Sequence, residues 1–416
     1  MNFWFSAHTG EPLPGIDEGQ RTLRLGMIGQ ELIRKGHRVT WWTSAFEHVK
    51  KVHRFREFRS LNSQEGLTVN LLPGPGYPRN LSFARMRHNH QQAADFLERA
   101  EEFEEPDLIL APLPAPVIAA AAAEYGTRHK VPVVVDVRDL WPLAIVELFP
   151  RLLQPFARVF LRSMERDLRD SCIKARAVTG MTMEFVKWGV EKAGREMTED
   201  DRAFRLSYPE ALLAEDEGIE AVPHVDAADL NGRFVVTFIG TIGASVEFQP
   251  IVAAASLLAE RAPDVLILIV GEGPHYEKYR RRSEGLNNLR WTGRVGRKAI
   301  PPVLKAAQAG IVPYRSTYNL RLGIPNKIGE YLAAGLPLVS GLTGRVARLV
   351  SEHEVGLSYR IDDAKDLADC ILRLRDEPRL RKEMSRAARG LYRKEFKAEV
   401  VYADFADHLI SLAGNG

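Results

Sequence analysis

The sequence predicts an α/β protein with two doubly wound, Rossmann-like domains, each a parallel sheet covered by helices. Three observations lead to this prediction. The chain has 416 residues, which is too many for a single hydrophobic core. A strand–loop–helix–strand unit opens the chain, and a second series of alternating apolar strands and helices begins at Phe234. Two such halves imply a ligand-binding cleft between the domains.

The first half reads as a βαβ unit followed by three more strands. The predicted elements are a strand at residues 2–7, a helix at 20–35, and strands at 37–43, 67–72, 107–111 and 131–137. The last strand runs into Asp136 and Asp139, and charged groups just past a strand's carboxyl end point into the ligand crevice of such sheets. We therefore expect Asp139 in the site and expect Asp136 to act as a cap or to pair locally.

The loop between the first strand and the first helix contains Gly15 and Gly19. It is long for a βα connection and precedes a helix N-terminus, so we interpret it as lying close to a donor phosphate or an acceptor. His8 stands just past the first strand and is a weaker candidate for the same site. The alternative for the loop and for His8 is a purely structural role.

The second half repeats the βα pattern after an acidic, irregular stretch at residues 198–229, whose end we interpret as the interdomain linker. The predicted elements are strands at residues 235–239, 265–270, 309–312 and 338–341, a helix at 249–260, and a mostly helical tail at 363–412 with a break at Pro378. The first of these strands leads into a loop containing Gly240, Thr241 and Gly243.

One helix of the second half combines two kinds of ligand group. Pro325 and Asn326 open it, with Asn326 as the expected cap, and Gly335 ends it. Lys327 adds a full positive charge to the helix N-terminus, which favours an anion, and Glu330 lies one turn further on the same side. This pairing suits a nucleotide sugar, which carries phosphates and neutral hydroxyls together. The alternative is a Lys–Glu pair on the wet face of an ordinary amphipathic helix.

The composition and the missing motifs argue against a nucleic-acid-binding protein, a kinase, a dehydrogenase and a metalloprotease. The formal net charge of +3 gives no argument for nucleic acid. There is no Walker loop, the Gly271-x-Gly273 pair lacks the third glycine of the dinucleotide fingerprint, and no His/Cys cluster suggests zinc. We therefore expect no metal and no cofactor. No signal peptide is evident and the longest apolar run, at residues 108–123, is broken by prolines, so we expect a cytoplasmic protein.

A basic run at residues 50–59 interleaves cations with aromatic side chains. Together with Arg79, Arg85 and Arg87 it suits an anionic membrane surface or a polyphosphate lipid. We therefore expect peripheral contact with the inner face of the membrane through the N-terminal domain. The alternative is a solvated surface segment.

Several motifs, taken in order, resemble the retaining glycosyltransferases of family four, which have the GT-B fold. In the second half the motifs are residues 238–243, 270–274, 325–337 and 354–357. In the first half they are residues 10–12, 36–40 and 136–142, which resemble the branch of N-acetylaminosugar transferases of surface-polysaccharide synthesis. The resemblance implies a domain at residues 1–229 for the acceptor, a domain at 230–390 for the nucleotide sugar, and a C-terminal helix at 391–416 that packs back on the first domain.

The resemblance also implies roles for individual residues. Asp139, Lys327 and Glu330 would form the catalytic centre, with Glu330 on the nucleotide ribose and Asp139 on the acceptor side. The substrate-binding residues would be Gly240, Thr241 and Gly243 beside the phosphates, Arg294 and Val295 near the base, and Pro325 and Asn326 at the diphosphate. Gly15 and Gly19 of the N-terminal loop would lie near a donor phosphate or the acceptor.

Our first hypothesis is a metal-independent retaining transferase that moves an N-acetylhexosamine or deoxy derivative from UDP. The acceptor would be a saccharide or a polyprenyl-diphosphate-linked saccharide. Two departures from the family keep alternatives open: Leu322 stands where the first of the family's paired glutamates would fall, and the usual Arg and Lys after the first C-domain glycine are absent. The alternatives are an inactive nucleotide-sugar-binding protein and a GT-B sugar epimerase.

Overall fold

The computed structural model describes residues 1–6, 10–17, 19–214 and 218–414. The chain divides into two compact units, one of Met1–Arg205 and Tyr402–Gly416 and one of Leu206–Val401. The expected boundaries after residues 229 and 390 differ from this division. Val222 and Val225 on one side, and Tyr392 and Phe396 on the other, are buried in the core of the second unit.

The first unit is built around an eight-stranded sheet. Its strands and the small β3–β4 hairpin are β1 (Asn2–Ser6), β2 (Arg38–Ser44), β3 (Phe46–Glu47), β4 (Val52–His53), β5 (Arg59–Gln64), β6 (Leu67–Leu72), β7 (Leu108–Pro112), β8 (Val133–Val137), β9 (Ala177–Gly180) and β10 (Arg202–Ala203). Its helices are α1 (Arg24–Arg34), α2 (Phe83–Ala100), α3 (Pro116–His129), α4 (Leu143–Val146), α5 (Gln154–Phe160), α6 (Arg162–Lys174) and α7 (Met183–Ala193).

The strand order of this sheet is β10-β9-β8-β7-β1-β2-β6-β5. Every neighbouring pair is parallel except β5 with β6, which is antiparallel at the edge. The central strands β1, β7 and β8 are buried along their whole length, as expected for a sheet covered on both faces. The predicted doubly wound architecture is therefore confirmed for this unit.

The second unit contains the remaining strands and, apart from most of the C-terminal helix, the remaining helices. Its strands are β11 (Phe234–Ile239), β12 (Val265–Val270), β13 (Leu289–Gly293), β14 (Ala309–Val312), β15 (Leu338–Ser340) and β16 (Gly356–Ser358). The helices from here to the end of the chain are α8 (Ala227–Leu230), α9 (Gln249–Arg261), α10 (Tyr276–Arg282), α11 (Ile300–Ala306), α12 (Tyr318–Leu322), α13 (Asn326–Ala334), α14 (Arg345–Glu352), α15 (Ala364–Asp376), α16 (Pro378–Leu391) and α17 (Ala398–Gly414).

The six strands of the second sheet are parallel and lie in the order β13-β12-β11-β14-β15-β16. Alternate side chains of each strand enter two different cores. Val235 and Leu266 point to the core that contains α13, whereas Val236 and Ile267 point to the core that contains α9. Helices therefore cover both faces, and the order reverses between β11 and β14, which makes that point the topological switch point of the sheet.

The C-terminal helix α17 spans the division between the units. We expected residues 391–416 to pack on the N-terminal domain. From Tyr402 onward they belong to the first unit, whereas residues 391–401 belong to the second. Within the first unit the ring of Phe405 stacks on that of Phe204, with centroids 4.1 Å apart, and His408 Nε2 lies 3.0 Å from the carbonyl oxygen of Asp200.

The predicted strands at residues 67–72, 265–270 and 309–312 have the observed bounds, and the break at Pro378 separates α15 from α16. The first helix begins at Arg24 and not at residue 20. Strands β5 and β9 are among those that the sequence pattern does not predict. Strand β5 is polar and partly exposed at the sheet edge, and β9 has only four residues, so neither forms a recognisable apolar run. No helix in the described part of the chain is long and apolar enough to span a bilayer.

Candidate functional site

The candidate donor site lies at the carboxyl ends of β11 and β14, where the order of the second sheet reverses. The loops that leave these two strands are joined by backbone hydrogen bonds. Glu247 N–H donates to the Pro313 carbonyl at 2.7 Å, and Arg315 N–H donates to the Ser245 carbonyl at 2.9 Å. These bonds hold the segment that follows β14 against the glycine loop that follows β11.

Glycines allow three loops to approach each other at this edge. A Cβ on Gly271 would lie 2.0 Å from the carbonyl oxygen of Gly240, and Gly271 N–H donates to the Gly293 carbonyl at 2.9 Å. Gly271 also has φ of 131°, which disfavours any side chain. The loops after β11, β12 and β13 therefore pack backbone to backbone.

The predicted donor-loop residues present surface at this edge. Thr241 is exposed, and a side chain added at Gly243 would enter open space. Arg294 and Val295 follow β13 at the same edge, where Arg294 is exposed and Val295 packs partly on the core. These residues share one edge of the sheet, because the carboxyl ends of parallel strands coincide.

Helix α13 carries the predicted Lys–Glu pair and is fixed by its buried face. The expected cap at Asn326 is wrong: Pro325 occupies the cap position with φ of −59°, and exposed Asn326 is the first helical residue. Gly335 ends the helix in the left-handed conformation, as predicted. The hydroxyl of buried Tyr331 accepts the Ile239 N–H at 2.9 Å, which ties α13 to the carboxyl end of β11.

Lys327 and Glu330 form an ion pair on the first turns of α13. Lys327 Nζ lies 2.8 Å from Glu330 Oε2, and their side chains are 22% and 3% exposed. The ammonium group therefore reaches solvent while the carboxylate lies below the surface. Half-buried Tyr314, which follows β14, lies near enough for its charge state to respond to Glu330. Burial, and to a lesser extent the Glu330 charge, raises the pKa of Tyr314 to about 12, so it is a neutral hydroxyl. The pair and Tyr314 together place a cation, a carboxylate and a neutral hydroxyl beside the N-terminus of α13.

In the first unit, Asp139 lies just past β8 and is half-buried. Its negative charge acts on Arg85, whose pKa is lowered by burial and partly restored by Tyr77 and Asp139. Asp136 does not pair locally: Arg24 donates to both of its carboxylate oxygens at 2.9 Å, from 112 residues away. His8 lies outside the described residues.

The glycine loop of the first unit is fixed by charged residues that the sequence reading did not assign. Gly15 has φ of 74°, and a Cβ there would lie 2.2 Å from the Ser63 carbonyl oxygen, so Gly15 makes a close backbone contact. Glu11 accepts the Leu25 N–H at 2.9 Å and pairs with Arg138. Glu11 therefore connects the loop to the start of α1 and to the segment after β8.

Gly19 also has φ of 74°, but a side chain there would meet nothing within 4 Å.

The most useful sequence signal that was not used is Arg24, a cation at the start of an otherwise apolar helix face. The structure groups the predicted residues of the second unit at one sheet edge, and it leaves Gly15, Gly19 and Asp139 as a separate set in the first unit.

The basic run at residues 50–59 forms the β4 turn and leads into β5. Many of its cations have partners inside the unit. Arg54 pairs with Asp17 at 2.7 Å, Lys50 lies 3.3 Å from Glu47, and the ammonium of Lys51 lies 4.6 Å from the centroid of the Tyr77 ring. The run is therefore partly neutralised within its own unit.

A cavity of about 700 Å³ lies elsewhere in the second unit, lined by Gln308, Gly335, Pro337 and several cations. Gln308 and Pro337 immediately precede β14 and β15, so this cavity lies at the amino ends of the strands, opposite the candidate site. Among the residues that the structure describes, no group of three or more His, Cys, Asp or Glu side chains is arranged to hold a metal ion.

Two family models match the chain. One, described as Glycosyltransferase Family 4, matches residues 25–184, and the other, described as Glycosyl transferases group 1, matches residues 233–377. The first falls wholly within the first unit and the second wholly within the second unit. Together the two models account for most of the chain.

Curated relatives and solved structures agree with these matches. The α-D-kanosaminyltransferase of Streptomyces kanamyceticus is 27% identical over 59% of this chain and 61% of its own length. The 2-deoxystreptamine N-acetyl-D-glucosaminyltransferase of Niallia circulans is 25% identical over 34% of this chain and 36% of its own length. The chain therefore matches less than two thirds of either relative. The structure of Anabaena HepE in complex with UDP covers 99% of both chains with a TM-score of 0.63 and 16% identity, which supports the shared fold.

Proposed function

This chain belongs to the family-four glycosyltransferases of the GT-B fold, and on that basis we propose that it transfers a sugar from a UDP-sugar with retention of configuration. The donor sugar is an N-acetylhexosamine or a deoxy derivative. The acceptor is a saccharide or a lipid-linked saccharide of surface-polysaccharide synthesis. No metal ion or other cofactor takes part.

The observation that carries this proposal is the Lys327–Glu330 pair at the N-terminus of α13, next to the switch point of the second sheet. Lys327 and the first backbone N–H groups of α13 bind the diphosphate, because both carry positive potential. Glu330 accepts hydrogen bonds from the ribose hydroxyls. The loop of Gly240, Thr241 and Gly243 lies beside the phosphates, and Arg294 and Val295 lie near the base.

The reaction needs charge stabilisation at the departing diphosphate. As the bond between the anomeric carbon and the UDP oxygen breaks, Lys327 and the helix dipole stabilise the negative charge that develops on the phosphate. The acceptor hydroxyl attacks the same face of the sugar, and its proton passes to the departing phosphate oxygen. This front-face course retains configuration without a nucleophile from the protein. Asp139 contributes on the acceptor side.

Leu322 favours one second candidate. It ends α12, half-buried, where the family's first glutamate would fall. Exposed Arg315, a cation that would replace the family's missing Arg and Lys at the phosphates, is paired with Glu247 at 2.7 Å. A chain that lacks this glutamate could bind nucleotide sugars without transferring them. Binding of UDP together with absence of both donor hydrolysis and transfer would select this second function.

The proposal is tested with a panel of UDP-, GDP- and dTDP-sugars in the presence of EDTA. We expect UDP release from one UDP-sugar and a product whose anomeric configuration, read from proton NMR couplings, matches the donor. Turnover lost in EDTA and restored by Mg²⁺ would contradict metal independence, and an inverted product would contradict retention.

Two variants test the site within the same assay. Lys327→Ala should remove most of the turnover, and Glu330→Ala should chiefly raise the KM for the donor. Lys305→Ala is the matched control, because Lys305 lines the cavity at the opposite edge of the same sheet. Wild-type kinetics in both site variants would contradict the assignment.

A further inference from the structure

We propose that one face of the first unit binds the surface of an anionic lipid bilayer. This apolar face comprises the start of α2 and the segment from α4 to α5: Leu81, Phe83, Phe149, Leu153, Phe156 and Phe160. It extends the surface predicted from the sequence, because Lys51 of the basic run donates to the side chain of Asn80, next to Leu81, and Arg79 and Arg87 flank this face as well. It supplies the chain with a partner that the proposed transfer reaction does not by itself require.

Large apolar side chains are exposed together on this face. Phe83 and Phe156 are 72% and 73% exposed, and neighbouring Leu152 is 88% exposed. The rings of Phe83 and Phe160 meet edge to face with centroids 5.2 Å apart, so α2 and α5 contribute to one continuous patch. Scattered apolar residues are normal on protein surfaces, but a contiguous patch of this kind marks an interaction site.

A hollow opens between the two parts of the face. Its volume is about 550 Å³, and its lining is almost wholly apolar, from Leu81 and Phe83 to Phe149 and Met164. The guanidinium of buried Arg85 lies 4.7 Å from the centroid of the Trp141 ring at the wall of this hollow. A hydrocarbon chain from a lipid fits a hollow with such walls.

The spacing of the apolar residues in the second segment is that of a helix lying along an interface. Leu152, Phe156 and Phe160 recur at every fourth residue across the 3₁₀ turn Arg151–Leu153 and α5. The segment is too short to span a bilayer, whereas an amphipathic segment of this kind lies in the boundary between headgroups and acyl chains.

The segments that form the apolar face carry charges of one sign, although the carboxylate of Asp139 acts on Arg85 nearby. Five exposed arginines surround it, namely Arg79, Arg87, Arg151, Arg158 and Arg162, and neither residues 66–94 nor residues 148–164 contain a carboxylate. Anionic lipid headgroups attract such a cluster. A second copy of the chain is a poorer occupant, because a two-fold interface would set the same arginines against each other. The observations therefore favour an anionic bilayer over self-association.

The test is sedimentation of the full chain with vesicles of phosphatidylglycerol and phosphatidylcholine. We expect the wild-type protein to bind these vesicles, to bind pure phosphatidylcholine weakly, and to be released by high salt. The double variant Phe156→Ser/Phe160→Ser should bind at least about tenfold more weakly, because each substitution removes a large apolar side chain that would otherwise be buried in the bilayer. Leu257→Ser is the matched control, because Leu257 is an exposed apolar residue of α9 and should not affect binding.

A second readout separates insertion from adsorption. Lipids brominated in their acyl chains should quench tryptophan fluorescence in the wild-type protein, and Trp141→Phe should lose a large part of this quenching. The inference is overturned if wild-type protein does not sediment with anionic vesicles, or if the double variant binds as well as wild type. It is also overturned if sedimentation equilibrium shows that the wild-type protein is a dimer and that the double variant is a monomer. UDP calorimetry on the double variant is expected to match wild type, so failure here is distinct from failure of the proposed transferase function.

Discussion

The buried ion pair of Arg24 with Asp136 provides the sharpest prediction about the first unit. The two side chains are 1% and 0% exposed, and Arg24 donates through Nε and Nη2 to the two carboxylate oxygens at 2.9 Å. Arg24 Nη1 also donates to the Phe204 carbonyl at 2.7 Å, and Thr179 Oγ1 donates to Asp136 at 3.0 Å. One guanidinium therefore joins α1, β8 and the chain that follows β10.

The perturbation is Arg24→Met, which keeps the apolar stem and removes the charge. Asp136 then stays buried with the Thr179 hydroxyl as a donor, and the Phe204 carbonyl loses the donor that Arg24 supplied. Removing one partner of a buried pair costs about 3–5 kcal/mol, a large share of the 5–15 kcal/mol that stabilises a typical domain. Exposed Arg38, paired with Glu104 at 2.9 Å, is the matched control, and its loss should cost no more than about 1 kcal/mol.

The contribution of Asp136 to the free energy of unfolding should depend on pH with opposite sign in the wild-type protein and in Arg24→Met. Burial alone would raise the pKa of Asp136, but the charge of Arg24 outweighs it and holds that pKa below the ordinary value. Wild-type stability from this pair is therefore present above the ordinary pKa and is lost as the pH falls below it. In Arg24→Met the buried carboxyl has a raised pKa, so acidification from neutral pH should reduce the penalty.

Urea unfolding of the first unit, followed by circular dichroism at several pH values, measures both effects. A double variant, Arg24→Met/Asp136→Leu, should recover part of the lost stability, because it leaves no buried charge unpaired. A loss below about 1 kcal/mol at pH 7 in Arg24→Met, or an unchanged pH profile, would refute this reasoning.

Three further predictions concern single residues. Burial lowers the pKa of His88 to about 4 from its ordinary 6.5, so the unfolding free energy should fall by up to about 3 kcal/mol as pH drops through that window. The slope should flatten in His88→Gln, and an equal slope in acid titrations of both proteins would count against this. Gly271→Ala should destabilise the second unit by about 1–3 kcal/mol in thermal unfolding, because the alanine side chain would be strained by the positive φ and would clash with the Gly240 carbonyl. A wild-type melting temperature would contradict this. Tyr331→Phe should cost about 1–3 kcal/mol in denaturant titrations by stranding the buried Ile239 N–H, and no measurable loss would show that the bond contributes nothing.

The strands that could be predicted are those whose own residues carry the signal. Strands β6, β12 and β14 have the predicted bounds, because each is rich in apolar residues and ends directly before a glycine or a proline. Strand β5 gives no apolar signal, because its residues are mostly polar and it lies at the exposed edge of the sheet, where it forms a hairpin with β6 across the turn at Glu65 and Gly66. Strand β9 is not predicted either, because its four residues are too few to show a period.

The candidate site was predictable where its contacts are local. Lys327 and Glu330 are three residues apart on one helix, so their pairing follows from the sequence. The pairing of Arg24 with Asp136 joins residues 112 apart, and the bond of Tyr331 to Ile239 joins residues 92 apart. No local pattern marks such partners, because the sheet order brings them together.

The account depends on the division of labour between Lys327 and Glu330, and one calorimetric series tests it. UDP, uridine and 2′,3′-dideoxy-UDP are titrated into wild-type protein, Lys327→Ala and Glu330→Ala. We predict that Lys327→Ala weakens UDP but not uridine, and that Glu330→Ala weakens both. Each loss should be about ten- to a hundredfold, as expected for hydrogen bonds to a charged group. Glu330→Ala should also abolish the preference for UDP over its dideoxy analogue. The account would be contradicted if both variants bound all three ligands with wild-type affinity.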